Sequence, residues 1–140
     1  MSRENVEFVE GLVAGVAGLD TQALLAALPE LIAQTCTPDI EWVEDPARAD
    51  SQANHGRDAV QRSWRRCLEQ WDEYGFEAER FIDCGEDVLV VSREHGRGVT
   101  SGALVSSLHY AAVTIRAGKI ARFREFYDEH AALKAVGLEE

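Results

Sequence analysis

Val43-Glu44-Asp45-Pro46, followed by a polar loop to His55-Gly56-Arg57-Asp58-Ala59-Val60, joins a short strand to an amphipathic helix. Ile40-Glu41-Trp42-Val43 has the β-branched and aromatic content of a strand. Pro46 has no amide hydrogen, so pairing stops there. A carboxylate is thereby placed at the strand end, where it can point into the mouth of an apolar fold. It is either a general base or a solvated strand end. Between Pro46 and Gly56 no apolar residue is larger than alanine or proline, which predicts a loop over 46–56.

Working outward, Val60, Trp64, Cys67, Leu68 and Trp71 recur at i, i+4, i+7, i+8 and i+11, one broad apolar helix face. Upstream, Val6, Val9, Leu12, Val13 and Val16 mark a first helix. Asp20 caps a second through Ala23, Leu24, Ala27 and Leu28, with Pro29 either kinking it or opening a separate turn, and helical character ending near Gln34. After Trp71 the period changes to two. Strands are predicted near 74–83, 87–97, 103–116 and 119–127. Their breaks are Cys84-Gly85-Glu86-Asp87, the stretch from Gly96 to Gly102, and the hairpin signal Ala117-Gly118-Lys119. Gly98 and Gly102 are candidate bends. A short helix from Glu129 to Val136 closes at Gly137. Helices first and a meander of long strands after them predict one α+β domain over 1–140, with helices to one side of a strongly curved, mostly antiparallel sheet. Such a sheet leaves a pocket in its concavity.

Fourteen basic against twenty-five acidic residues give a formal charge of −11, which repels phosphate backbones and argues against nucleic acid and anionic membrane as partners. The three cysteines, Cys36, Cys67 and Cys84, have no metal-ligand spacing and read as reduced core thiols in a cytoplasmic protein. The opening residues lack the basic head and apolar run of a signal peptide. The four histidines are too scattered for a metal site, and no phosphate loop or nucleotide fingerprint is present.

The order of elements resembles the nuclear-transport-factor-2-like superfamily, and within it the SnoaL-like group. The likeness rests on Glu4-Asn5-Val6, Pro38-Asp39-Ile40-Glu41-Trp42, Gly56-Arg57-Asp58-Ala59-Val60, Phe81-Ile82-Asp83-Cys84-Gly85-Glu86-Asp87, and the run from Gly118 to Asp128. It implies a cone-shaped fold enclosing a pocket. The superfamily holds isomerases, cyclases, epoxide hydrolases, dehydratases and proteins without known chemistry, so the likeness is weak for activity. It implies Asp45 as the proton-shuttling aspartate of ketosteroid isomerases and Tyr110 at the position of their oxyanion donor. Asp128 falls where polyketide cyclases and limonene epoxide hydrolases use an acid or base. The tyrosine donor of the isomerases has Glu10 at its nearest position, and the Asp-Arg pair of the epoxide hydrolases is not found.

Each candidate has a plainer reading. Asp45 can be an exposed acid, Asp128 the N-cap of the last helix, and Tyr110 a core aromatic. In a regular strand Tyr110 shares a face with Leu104, Ser106, Leu108 and Ala112, which would line the cavity. His109 then points away, to solvent or a dimer surface, and is the alternative to Tyr110 if a bulge shifts the register. Val43, Trp64, Leu108 and Phe126 are the candidate substrate contacts. The expected function is binding of a small hydrophobic molecule, with cofactor-free acid–base chemistry (isomerisation or aldol-type cyclisation) on a carbonyl compound. The alternatives are a non-catalytic binding module, or a homodimeric interaction protein with a filled pocket. A homodimer through the outer sheet face is expected in any case.

Overall fold

Two tight turns fold the long strands back on one another. In the computed structural model, which describes residues 2–138, β3 (Trp71–Cys84) returns as β4 (Asp87–Gly98) through Gly85-Glu86. Likewise β5 (Leu104–Arg116) returns as β6 (Lys119–Phe126) through Ala117-Gly118. Ala117 and Gly118 have φ of 53° and 76°. Positive φ at both central residues matches the right-handed twist of the flanking strands.

β1 (Cys36–Val43) runs parallel to β6, and β2 (Ala53–His55) antiparallel to β1. The sheet order is β2-β1-β6-β5-β4-β3. All neighbours except β1 and β6 are antiparallel. The sheet is curved and does not close. Register shifts in β3, between Asp72 and Gly75 and between Ala78 and Arg80, supply bends. The glycines proposed as bends, Gly98 and Gly102, instead shape the β4–β5 turn, where the Gly102 amide donates to the Gly98 carbonyl at 2.8 Å.

The helices are α1 (Ser2–Ala17), α2 (Thr21–Thr35), α3 (Arg57–Glu69) and α4 (Glu129–Ala135). Asp20 caps α2 by accepting from the Ala23 amide at 2.8 Å. The helix continues through Pro29 without a separate turn. The loop expected over 46–56 is shorter than its composition suggests. Main-chain bonds from Glu44 N to Gln52 O (3.0 Å) and Gly56 N to Ile40 O (2.8 Å) draw Ala53–His55 into the sheet as β2. Such pairing needs no apolar side chain, so the composition does not announce it.

Two cores lie on opposite faces of the sheet. On the concave face Val88, Val90, Ala111 and Val113 pack with Val9 of α1, Leu28 and Ile32 of α2 and Val60 of α3. On the outer face Leu89, Val91, Tyr110, Ala112 and Phe126 pack with Ala132 of α4. Ile40 of β1 is 1 % exposed within the concave core. Ile40→Ala should cost about 2–5 kcal/mol through lost burial and an unfilled void, read as a lower urea midpoint at unchanged slope.

Candidate functional site

The concave face is not filled. A cavity of about 400 Å³ lies between it, α3 and the Arg48–Gln52 segment. The three tryptophans of the chain, Trp42, Trp64 and Trp71, all line it, with Phe123. Trp64 meets Trp42 edge-on at 4.5 Å between ring centroids, and Phe123 lies 4.4 Å from Trp42. This is a flat-walled aromatic enclosure, with polar groups set into it at a few points.

The first polar point is Glu125 on β6. One carboxylate oxygen accepts from the Trp42 indole N–H, and the other lies 3.2 Å from Nε2 of His109 on β5. The His109 and Glu125 side chains are only 14 % and 15 % exposed. An ionised carboxylate accepts only, so in the neutral ring Nε2 carries the proton and Nδ1 the lone pair, while the imidazolium carries a proton on each. Burial by itself would lower the His109 pKa. The hydrogen bond and charge of Glu125, with the charges of Glu94 and Asp45, outweigh burial and raise it above the ordinary imidazole value of 6.5.

A second point is Glu94 on β4. Tyr74 donates to one oxygen at 2.8 Å and Tyr127 to the other at 2.7 Å. Burial first, then the Glu94 charge, pushes both phenols far above their ordinary range, so both keep their protons. The Tyr127 ring stands edge-on to His109 at 5.3 Å between centroids, linking the two points. Cys67 also faces the cavity. The residue is exposed rather than a core thiol, but desolvation of its sulfur at the cavity wall, with the nearby Glu125 and Glu94, raises the thiol to about 11, so it is no thiolate nucleophile at neutral pH. At the rim Arg48 pairs with Asp50 at 3.1 Å and approaches Glu44 at 3.8 Å.

The residues singled out in the sequence are distributed differently. Trp64 lines the cavity; Val43, Leu108 and Phe126 do not. Asp45 is buried, but its oxygens accept from the amides of Ala47 (2.9 Å) and Tyr127 (3.0 Å), tying the end of β6 to the 45–47 turn. Its neighbour Glu44 lines the cavity instead, near the Ser63 hydroxyl at 3.4 Å. Asp128 is exposed and caps α4, accepting from the Ala131 amide at 2.9 Å. Tyr110 lies in the outer core, with its hydroxyl 3.4 Å from Glu129. Asp45, Tyr110 and Asp128 therefore do not converge on the cavity. The alternation along β5 is as expected, but the face carrying Tyr110 is the outer one, and His109 points inward rather than to solvent.

Sequence reasoning held His109 only as the alternative to Tyr110 under a shifted register, and missed Glu125, Glu94, Tyr74 and Tyr127. The register explains much of this. The hairpin pairs Arg116 with Lys119, yet a shift between Thr114 and Ile115 leaves Tyr110 opposite Phe126 and Ala111 opposite Glu125. Counted without that shift, Glu125 falls on the face of Tyr110. Among the described residues, no three His, Cys, Asp or Glu are gathered as a metal site, and no helix is long and apolar enough to cross a membrane.

A sequence profile of the SnoaL-like domain matches residues 17–123. The chain belongs to the SnoaL-like domain family. No curated protein matches it in sequence. Among solved structures, this SnoaL-like chain is similar to a protein from Jannaschia sp. CCS1 named provisionally as a SnoaL-like polyketide cyclase. The identity is 18 % and the TM-score 0.70, over 99 % of this chain and 94 % of that one. It is also similar to TerC co-crystallised with polyporic acid (18 %, 0.67, over 95 % and 98 %). A third is a hypothetical protein with a ketosteroid isomerase-like fold from Catenulispora acidiphila, in complex with trimethylamine (16 %, 0.63, over 84 % and 91 %). At these identities the likeness is one of fold.

Because His109 binds its proton more tightly in the folded state, its contribution to stability is full below the unfolded value near 6.5 and is lost as pH rises through the folded value. In an NMR titration, the ring of the native protein should titrate above 6.5. In Glu125→Gln its midpoint should fall, because burial then meets less opposition. An unchanged midpoint would mean that Glu125 does not hold the ring.

Proposed function

We propose that this SnoaL-like protein binds a small, hydrophobic, carbonyl-bearing molecule between its tryptophans and carries out acid–base chemistry on it without a cofactor. One observation supports this above the others: His109, with Nε2 beside a half-buried Glu125, lines an aromatic cavity. A neutral imidazole whose N–H faces a carboxylate presents its second nitrogen as a base, and the carboxylate stabilises the imidazolium that forms.

In this reading Nδ1 of His109 takes a proton from the carbon next to the carbonyl. The electron pair left behind moves onto the carbonyl oxygen, making an enolate. Where the substrate carries a β,γ carbon–carbon double bond, the enolate is a dienolate, and returning the proton to its γ-carbon gives isomerisation. Attack of the enolate carbon on a second carbonyl of the same molecule gives an aldol-type ring closure, with the proton passing to the new alkoxide. Tyr74 and Tyr127 are the protonated hydroxyls that could turn from Glu94 to the negative oxygen. Asp45 has a supporting role, fixing the Tyr127 main chain.

A binding role without turnover is favoured by a different observation. Both tyrosine hydroxyls already donate to Glu94, so an enolate oxygen would have to compete with a carboxylate for them.

Acetophenone in deuterated water separates the two readings, because exchange of its methyl protons reports base chemistry directly. Under the catalytic reading the protein accelerates exchange, and His109→Gln reduces the acceleration about 10²–10⁴-fold, while Asp128→Asn leaves it unchanged. Saturable quenching of tryptophan fluorescence with exchange no faster than in buffer would leave only the binding role.

A further inference from the structure

A second, smaller chamber of about 170 Å³ adjoins the first, on the inner side between α1, α2 and the concave face of the sheet. Its own walls include Val9 and Val13 of α1, Leu28 and Ile32 of α2, and Ala111 and Val113 of β5. Where it meets the larger cavity, the two share Trp42, Trp64, Tyr74, Glu94, His109 and Phe123. The interior thus changes character along its depth. Charged and aromatic groups surround the outer chamber, and aliphatic side chains surround the inner one.

We infer that the two chambers form one site for an amphiphile, with a carbonyl-bearing head beside His109 and an alkyl tail of about six carbons in the inner chamber. Size and chemistry both point this way. An aliphatic cavity of about 150 Å³ takes up benzene, so the inner chamber, lined mainly by apolar side chains, suits an apolar group of that bulk. Thr35, one of its few polar members, turns its hydroxyl to the Leu31 carbonyl of its own helix at 2.6 Å. His109 belongs to both chambers, so a carbonyl placed against it has open apolar space behind it. This inference rests on the proposed binding of a carbonyl compound and specifies its shape.

The test is a series of acetophenones carrying para n-alkyl chains from methyl to decyl, with binding to the native protein followed by tryptophan quenching. Affinity should tighten about fourfold per added methylene and level off near six carbons. Ala111→Leu, which adds bulk to the inner chamber alone, should bring the levelling two or more carbons earlier while leaving the methyl compound's affinity within about twofold. An affinity independent of chain length, or a plateau that Ala111→Leu does not move, overturns the amphiphile and leaves the carbonyl-binding reading standing. The native series decides the matter even where the variant is too unstable to use. If no member of the series, acetophenone included, alters the fluorescence, the carbonyl-binding reading fails and the amphiphile with it.

Discussion

A carboxylate inside an apolar fold is costly unless each oxygen finds a donor. Glu125 meets that condition through the Trp42 indole on one side and His109 on the other. Three strands have to agree for this to happen, because Trp42 is on β1, Glu125 on β6 and His109 on β5. The parallel pairing of β1 with β6 sets Trp42 opposite Phe123, two residues before Glu125. The irregular register of β5 with β6 then turns Glu125 to the same face as His109. Remove either condition and Glu125 loses a donor, or His109 loses the carboxylate that faces its Nε2.

The cavity itself follows from how the sheet is covered. α1 and α2 close the inner part of the concave face with aliphatic side chains. α3 brings Trp64 over Trp42, leaving the space toward Tyr127 and Glu94 to polar and aromatic groups. The outer face is sealed differently, by α4 over Tyr110 and Phe126. The same sheet therefore has one packed side and one hollow side.

Much of this layout could be read from the residues. Helical periodicity located α1 and α3, and Asp20 marked the start of α2. The alternation after Trp71 and the Ala117-Gly118 turn gave the four long strands as a meander, but not β2 or the parallel pairing of β1 with β6. The site was harder to read. β5 is apolar at both odd and even positions, so alternation says which residues share a face but not which face is hollow. A one-residue register shift near Thr114 decided the side on which Glu125 falls. At the end of β1, Glu44 and Asp45 are adjacent acids, and only the main-chain bonds of Asp45 to Ala47 and Tyr127 show that its neighbour is the one facing the cavity. Asp128 illustrates the opposite case: its capping role is local chemistry, open to sequence reasoning from the start.

The site depends on Glu125 being a carboxylate held by the Trp42 indole, and a double-mutant cycle on folding stability tests that contact most directly. Trp42→Phe, Glu125→Leu and the double variant would each be unfolded in urea. A coupling energy of about 1.5–3 kcal/mol, the range for a hydrogen bond to a charged group, is the expected result. Single-variant effects that add to within about 0.3–0.5 kcal/mol would contradict it, because two side chains that do not act on each other are the ones that add.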